Sequence, residues 1–367
     1  MRQGRSDGGN SVVVDVRDPP VVIVTLRMRG HAGPSGYDRL QEYIESRSIR
    51  TSDALSPAQR VLARSLRFMT RASGSLWYHR ANLIGELAAA RQWFRRRGQI
   101  FHFLYGENSF RYLGNLKALG SRNAIVSTYH TPPDKFSRVV MDRRHLARLD
   151  AVVVVSAMQM DSFARIVGPE RVRFVPHGID VDYFRPGPER GEAGGRSFRC
   201  LFVGSHLRDF DTLAQAARLL RSRPEIRFTL VTKAAHHAAF SGLDNVEVLS
   251  GVDDARLLAL YQEADTLVLP LLDSTANNSM LEAMACGLPI VTTDLPGVRD
   301  YVSEECALLV KKGDPQRLAE VIAWLAQDAA ARQRMAVASR RHALEFRWEA
   351  IADRMREIYR SIGMTAR

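Results

Sequence analysis

The chain has 367 residues, longer than a single hydrophobic core usually serves, which favours two domains. Its hydrophobic share of 46% is ordinary for a soluble protein, and no apolar run nears the roughly 20 residues that a membrane span needs. The net charge of +12 is uneven: residues 1–190 hold 30 Arg and Lys against 17 Asp and Glu, the remainder 22 against 23. An anionic partner is therefore expected for the first half.

In chain order, residues 1–19 lack the apolar core of a signal peptide and read as a disordered lead-in. Continuous apolar runs then predict buried strands at 21–26, 100–104, 123–129, 151–156 and 173–178. Helical patterns fall between them, for example at 36–47 and 135–148. These make a first domain over 20–184. The stretch RPGPERGEAGGRS, residues 185–197, is dominated by Gly, Pro and charge and reads as a linker.

The rhythm restarts with a strand at 198–204, a helix at 210–222, and strands at 226–232 and 246–251. A helix at 254–263 and a strand at 266–271 follow, then a short helix from Met280. Strands at 290–293 and 307–310 and helices near 315–327 and 329–345 complete a second domain over 198–345. Residues 346–367 put Trp348, Ile351, Met355, Ile358 and Ile362 on one helical stripe, so this helix is expected to pack back toward the first domain. The fold class is α/β, with two Rossmann-like β/α/β domains facing a cleft. Cys200, Cys286 and Cys306 are odd in number and far apart, and read as reduced core residues of a cytoplasmic protein. No CxxC or HxxxH pair offers a metal site, and none is expected.

In open α/β sheets, ligands bind beyond the carboxyl ends of the strands. The strand at 266–271 ends there, in the small polar loop DSTANNS. The helix that follows presents free amides suited to an anion. Ser279 and Glu282 fit a capping box. The same carboxylate, one turn into the helix, would also suit the ribose diol of a nucleotide, and both roles stand open. In the first domain Gly33, Ser35 and Gly36 form a loop after the first strand whose amides either face the cleft or make an ordinary strand–helix turn. His102 and Glu107 lie near a strand end, as acceptor contacts or as packed side chains. Lys233 ends the strand at 226–232, as a cation for a phosphate or as a solvated lysine.

Arg60, Arg64, Arg67 and Arg71 recur at steps of 4, 3 and 4, on one helical face. Aromatic residues and Arg95 to Arg97 lie beyond. Residues 56–97 thus read either as a peripheral contact with an anionic membrane or as a solvated arginine face. No helix-turn-helix, zinc or RNA-binding motif marks a nucleic-acid partner.

VPHGIDVDYFRP (175–186), DNVEVLSGVDDARLLALYQEAD (244–265) and VLPLLDSTANNSMLEAMACGLPIVTTDLPGVRDYV (268–302) resemble the retaining glycosyltransferases of family 4, which have the GT-B fold. The resemblance is strong from about residue 150 onward and more diffuse before it. It implies a nucleoside-diphosphate-sugar donor in the second domain, a glycan, lipid-linked or small-molecule acceptor in the first, and retention at the anomeric carbon. It also implies no cofactor and no essential metal.

Glu282 matches the second acid of the family's Glu-x7-Glu motif, the ribose-binding carboxylate. The first acid would fall on Ser274, a departure; either Asp273, one place off, substitutes, or the sugar rests on the amides and side chains of Thr275, Asn277 and Asn278, and Ser279, Met280 and Leu281 complete the donor side. Arg208, after Gly204, matches the family's lysine on the donor diphosphate, but the companion arginine position holds Ser205 or His206. His130, at a strand end, stands where the family often has a histidine near the transferred sugar. His177 and Asp180 occupy the interdomain turn. The departures keep open a non-catalytic sugar-nucleotide-binding relative, and the fold keeps open a sugar-nucleotide epimerase.

Overall fold

The computed structural model describes residues 18–26, 33–51, 55–188 and 197–365. The expected lead-in up to Arg17 and linker residues 189–196 lie outside them. Two six-stranded parallel sheets organise the chain. The first contains β1 (Val21–Leu26), β2 (Ser46–Thr51), β3 (Ile100–Phe103), β4 (Ala124–Tyr129), β5 (Ala151–Val154) and β6 (Val172–Phe174), in the order β2-β1-β3-β4-β5-β6. The second contains β7 (Phe198–Val203), β8 (Ile226–Val231), β9 (Val246–Leu249), β10 (Thr266–Leu269), β11 (Ile290–Thr293) and β12 (Ala307–Val310), in the order β12-β11-β10-β7-β8-β9. Strand order reverses between β1 and β3 in one sheet and between β7 and β10 in the other. The loops leaving those four strands border the crevices where such sheets take ligands.

The central strands are apolar without alternation because helices cover both faces. Val22, Ile23 and Val24 of β1 and Leu267, Val268 and Leu269 of β10 are fully buried. The C-terminal helix, Trp348–Thr365, crosses back onto the first sheet as its stripe predicts. Trp348, Ile351, Met355, Ile358 and Ile362 share one core with Val21, Ile23, Ile100, Val126 and Val153. Each buried side chain of this size contributes about 1.5–3 kcal/mol. The crossing depends on Gly178, where a Cβ would stand 2.4 Å from the Trp348 ring. The chain changes core just here: Val175 belongs to the first, while Ile179, Val181 and Phe184 already pack in the second.

Three segments differ from expectation. Residues 36–47 are not one helix. A 3-10 turn, Tyr37–Arg39, runs into the short helix Leu40–Tyr43, and Ser46–Thr51 becomes the edge strand β2, parallel to β1. SRSIRT is polar because an edge strand faces solvent, so it lacks the apolar run that marks its neighbours. Residues 135–148 split into the helix Pro133–Val139 and a 3-10 turn, Arg144–Arg148. The arginine-rich segment forms two helices, Pro57–Ser65 and Arg67–Arg71; the first opens on a Ser56–Gln59 capping box. Among the described residues no helix is long and apolar enough to cross a membrane.

Candidate functional site

Glu282 lies in the helix Asn278–Ala285, which starts just beyond β10. The capping box expected of Ser279 and Glu282 does not form. Asn277 is the N-cap, its side chain accepting from the Met280 amide at 3.3 Å. Glu282 is left free to act elsewhere. Its Oε1 accepts from the Ser35 hydroxyl of the first domain at 2.5 Å, and its Oε2 from the Tyr261 hydroxyl at 2.7 Å. Burial raises the Glu282 carboxyl above its ordinary value, while Ser35, Tyr261 and Arg208 act against that shift and nearby Asp254 adds to it. The acid thus sits in a dry pocket between the domains, with hydroxyl donors on both oxygens. That is the donor set a ribose diol would offer it.

Arg208 follows β7 through a tight turn in which Gly204 has φ 105° and Leu207 φ 55°. The turn folds the guanidinium back toward the start of the Asn278–Ala285 helix. Arg208 donates to the carbonyls of Val203 and His206 at 3.0 Å, to Asn277 Oδ1 at 3.3 Å and to Ser279 Oγ at 3.2 Å. Burial lowers its pKa to about 10, against the opposing pull of Tyr261 and Glu282. A cation is therefore fixed beside the helix N-terminus, where the dipole also favours negative charge. The free amides there are those of Asn278 and Ser279. Those of Met280 and Leu281, expected to face the donor, are taken by the Asn277 side chain and carbonyl, and both side chains are fully buried. Lys233 is exposed, and its amide donates to Ser205 Oγ at 3.2 Å, which ties the end of β8 to the Gly204 turn.

The loop DSTANNS is held from the first domain. The Thr275 hydroxyl donates to the His130 carbonyl, and Ser274 is buried with its hydroxyl unpartnered among the described residues. The loop rests on Pro296–Gly297, where a Cβ on Gly297 would stand 2.1 Å from the Ser274 carbonyl. His130 projects between Tyr37 and Tyr105, each ring 4.8 Å from its own. Neither His130 ring nitrogen has a hydrogen-bond partner among the described residues, and Nδ1 stands 3.7 Å from Glu107 Oε1. The side chain is half-buried beside the Glu107 carboxylate, with ring nitrogens that a hydrogen-bonding ligand would complete.

Glu107 is buried and holds the His130 loop, its Oε1 accepting from the His130 amide at 3.1 Å and the Thr131 hydroxyl at 2.9 Å, while its Oε2 has no hydrogen-bond partner among the described residues. Its burial works to raise its pKa, but His130 and backbone amides outweigh that and lower it. His102 is fully buried, with both ring nitrogens engaged, Nδ1 2.6 Å from the Tyr359 hydroxyl and Nε2 2.7 Å from Thr128 Oγ1. It fastens the C-terminal helix to the first sheet.

In the loop after β1, Gly33 and Ser35 reach the second domain. The Gly33 amide donates to Asp254 Oδ2 at 2.7 Å, so it already meets an acid of the second domain, and Gly36 takes φ 113° to start the following turn. His177 packs between Tyr37 and Trp348 at the interdomain turn, and Asp180 accepts from Arg39 at 2.9 Å.

Four contributors escaped the sequence reading. Tyr261 left no local signal, being one apolar position in a helical pattern. Asp254 left one: Asp253 alone caps its helix, accepting from the Arg256 amide, so a second consecutive acid was spare. Tyr37 and Tyr105 are the others, since only the fold brings them to His130. Lys135 of the first domain also reaches the donor side, with Nζ 3.1 Å from His206 Nε2.

Two facing parallel sheets, with an anion-binding helix end and an interdomain acid at the switch points, define the GT-B class of two-domain folds. Solved structures of that architecture match. Sucrose-phosphate synthase from Thermosynechococcus elongatus superposes with a TM-score of 0.68 at 19% identity, covering 95% of this chain and 100% of the other. Anabaena HepE, solved in complex with UDP-glucose, gives 0.67 at 16% identity, over 93% and 99%.

Residues 51–183 match the model of Glycosyltransferase Family 4, and residues 197–328 that of Glycosyl transferases group 1. The chain belongs to this glycosyltransferase family. A D-inositol 3-phosphate glycosyltransferase from Saccharomonospora viridis is 29% identical over 266 residues, 65% of this chain and 62% of the relative. An MMP alpha-(1->4)-mannosyltransferase from Mycolicibacterium hassiacum is 28% identical over 235 residues, 60% and 56%. The chain thus spans less than two thirds of the length of these relatives.

Proposed function

We propose that the protein transfers a sugar, with retention, from a nucleoside-diphosphate sugar to a hydroxyl of a glycan, lipid-linked or small-molecule acceptor. The observation that carries this reading is Glu282 freed from capping and turned into the cleft, one helical turn from Arg208 and the amides of Asn278 and Ser279. In this reading Glu282 takes the ribose diol in place of the Ser35 hydroxyl. Arg208, Lys233 and the helix amides meet the charge that develops on the diphosphate as the glycosidic bond breaks. The leaving phosphate accepts the acceptor's proton on the same face. His130, whose ring nitrogens make no hydrogen bond among the described residues, holds the sugar.

With this charge supplied by side chains and amides, no metal takes part, and turnover persists in EDTA. The exposed apolar and basic residues of 57–71 support a peripheral seat on the cytoplasmic face of a membrane, beside a lipid-linked acceptor. A UDP-, GDP- or ADP-sugar that raises the melting temperature identifies the donor, by linkage of binding to folding. Product analysis then reads the anomeric configuration. If no nucleotide sugar shifts the melting temperature, the reading fails.

Ser274 favours one second reading, a sugar-nucleotide-binding relative without turnover. A hydroxyl with no partner among the described residues stands where the family's first acid would grip the sugar. Donor binding without product, across a crude acceptor pool, would decide for it.

A further inference from the structure

A second cavity lies away from the cleft, at the amino ends of β1, β2, β3 and β4. Its volume is about 1250 Å³, and Val21, Ser46, Ile100 and Ala124, the first residues of those strands, line it. Six arginines converge on it from separate parts of the chain: Arg47 on β2, Arg95 and Arg96 after the helix Arg80–Trp93, Arg122 before β4, and Arg356 and Arg360 on the C-terminal helix. Only two acids, Asp18 and Glu45, share the lining. Arg360 is paired with Asp18 at 2.6 Å, and Arg356 with Asp353 and the Tyr43 carbonyl at 2.5 Å. Arg47, Arg95, Arg96 and Arg122 have no ion-pair partner among the described residues.

Gathering like charges in one depression is unfavourable unless something neutralises them. Residues 1–17, which lead into Asp18, cannot do so, because Arg2, Arg5 and Arg17 outnumber Asp7 and Asp15. The floor adds a second sign of a ligand. Gln92 lines the cavity at 7% exposure; its amide nitrogen donates to Gln99 Oε1 at 3.3 Å, while its Oε1 has no partner among the described residues. A buried acceptor below a ring of guanidinium groups suits a ligand with hydroxyl or amine donors next to its anionic groups.

We propose that this cavity is a second ligand site, separate from the cleft, for a multiply charged phosphate ester. Arginine forks bind phosphate oxygens bidentately, and their number here fits more than one phosphate or a phosphate with two free oxygens. The site lies at the opposite end of the first sheet from His130, yet it is joined to that region. Tyr359 lines the cavity, and its hydroxyl meets His102, which meets Thr128 on β4, the strand that leads to His130.

The test is calorimetric titration with two probes, inorganic tripolyphosphate and monomeric dihexanoyl phosphatidic acid. Three proteins are compared: the wild type, Arg95→Gln/Arg96→Gln/Arg122→Gln, and Lys233→Gln in the cleft. The three arginines are exposed, so the melting temperature of the triple variant serves as the folding control. Affinity for at least one probe is expected to fall about tenfold or more in the triple variant and to stay unchanged in Lys233→Gln. Preference for tripolyphosphate marks a free phosphate ligand, and preference for phosphatidic acid a lipid headgroup. The proposal is overturned if neither probe binds the wild type at about 1 mM. It is equally overturned if the triple variant binds as the wild type does, or if the loss falls on Lys233→Gln instead.

Discussion

The Ser35 hydroxyl donates to Glu282 Oε1 at 2.5 Å, joining residues 247 apart and closing one domain onto the other. In the proposed reading the contact occupies the oxygen that a donor ribose would take, so donor binding and this interdomain hydrogen bond would compete for one carboxylate. Glu282→Gln should keep the fold, because the amide oxygen still accepts from one of the two hydroxyls and the other can turn to accept from the amide NH2, but nucleotide-sugar affinity should fall about tenfold or more. Asn277→Ala, by contrast, removes the real N-cap and should lower stability by about 1 kcal/mol. Paired calorimetry and thermal melts of the two variants check the division of roles. Equal loss of stability in both would return Glu282 to a structural part.

Glu282 also sets a pH dependence. Burial holds its folded value above the ordinary 4.5. Its stabilising contribution is thus complete below 4.5 and lost as pH rises through the folded value. The stability of wild type relative to Glu282→Gln should fall as pH climbs from 4.5. Donor affinity should rise over the same range, since a diol needs the ionised acceptor. Melts and titrations across that range read both slopes.

His102 works with the opposite sign. Burial, with His130 adding to it, lowers its pKa from 6.5 to about 3. The contribution of the neutral ring is present above 6.5 and lost as pH falls toward 3, on the order of a few kcal/mol. Acid should therefore release the C-terminal helix from the first sheet. His102→Gln, which does not titrate, should show a flatter stability profile between pH 6.5 and 3 in denaturant melts.

Arg208→Met should lower kcat by about 10²–10³, the cost of losing one fixed positive group at a developing charge. Arg208→Lys keeps the charge but not the fork over Val203, His206, Asn277 and Ser279, and should recover only part of the rate. Steady-state kinetics with the donor found by thermal shift measures both. A rise in KM without loss of kcat would remove Arg208 from the reaction and leave it a binding role.

Leu62 and Phe68 are 45% and 62% exposed among Arg60, Arg64 and Arg67. Leu62→Ser/Phe68→Ser should reduce flotation with anionic vesicles about tenfold or more, because the apolar anchor is gone while the charge remains. Unchanged flotation would assign the arginine face to solvent.

Much of the fold was legible because burial on both faces writes itself into the strands. VVIVTL, AVVVV and TLVLPL have no other reading than core. β2 was not legible, since an edge strand facing solvent looks like a loop or a helix end. The Trp348–Ile362 stripe announced a buried helix, which packs on the first sheet. At the site, the positions of Glu282 and Lys233 came from local order and that of Arg208 from the resemblance, while the partners of His102 and Glu107 could not be read from either. A histidine in a strand reads the same whether its ring meets a ligand or, as here, Tyr359 and Thr128.

The sequence by itself determined the parallel α/β rhythm, the split into two halves, and the helix that begins where β10 ends. Those features depend on periodicity and turn chemistry within a few residues. Tertiary structure alone decided that Asn277 and not Ser279 caps that helix, that Ser35 and Tyr261 meet Glu282, and that six arginines share one cavity. Such pairings join segments far apart in the chain, and their geometry exists only after the two sheets have closed on each other.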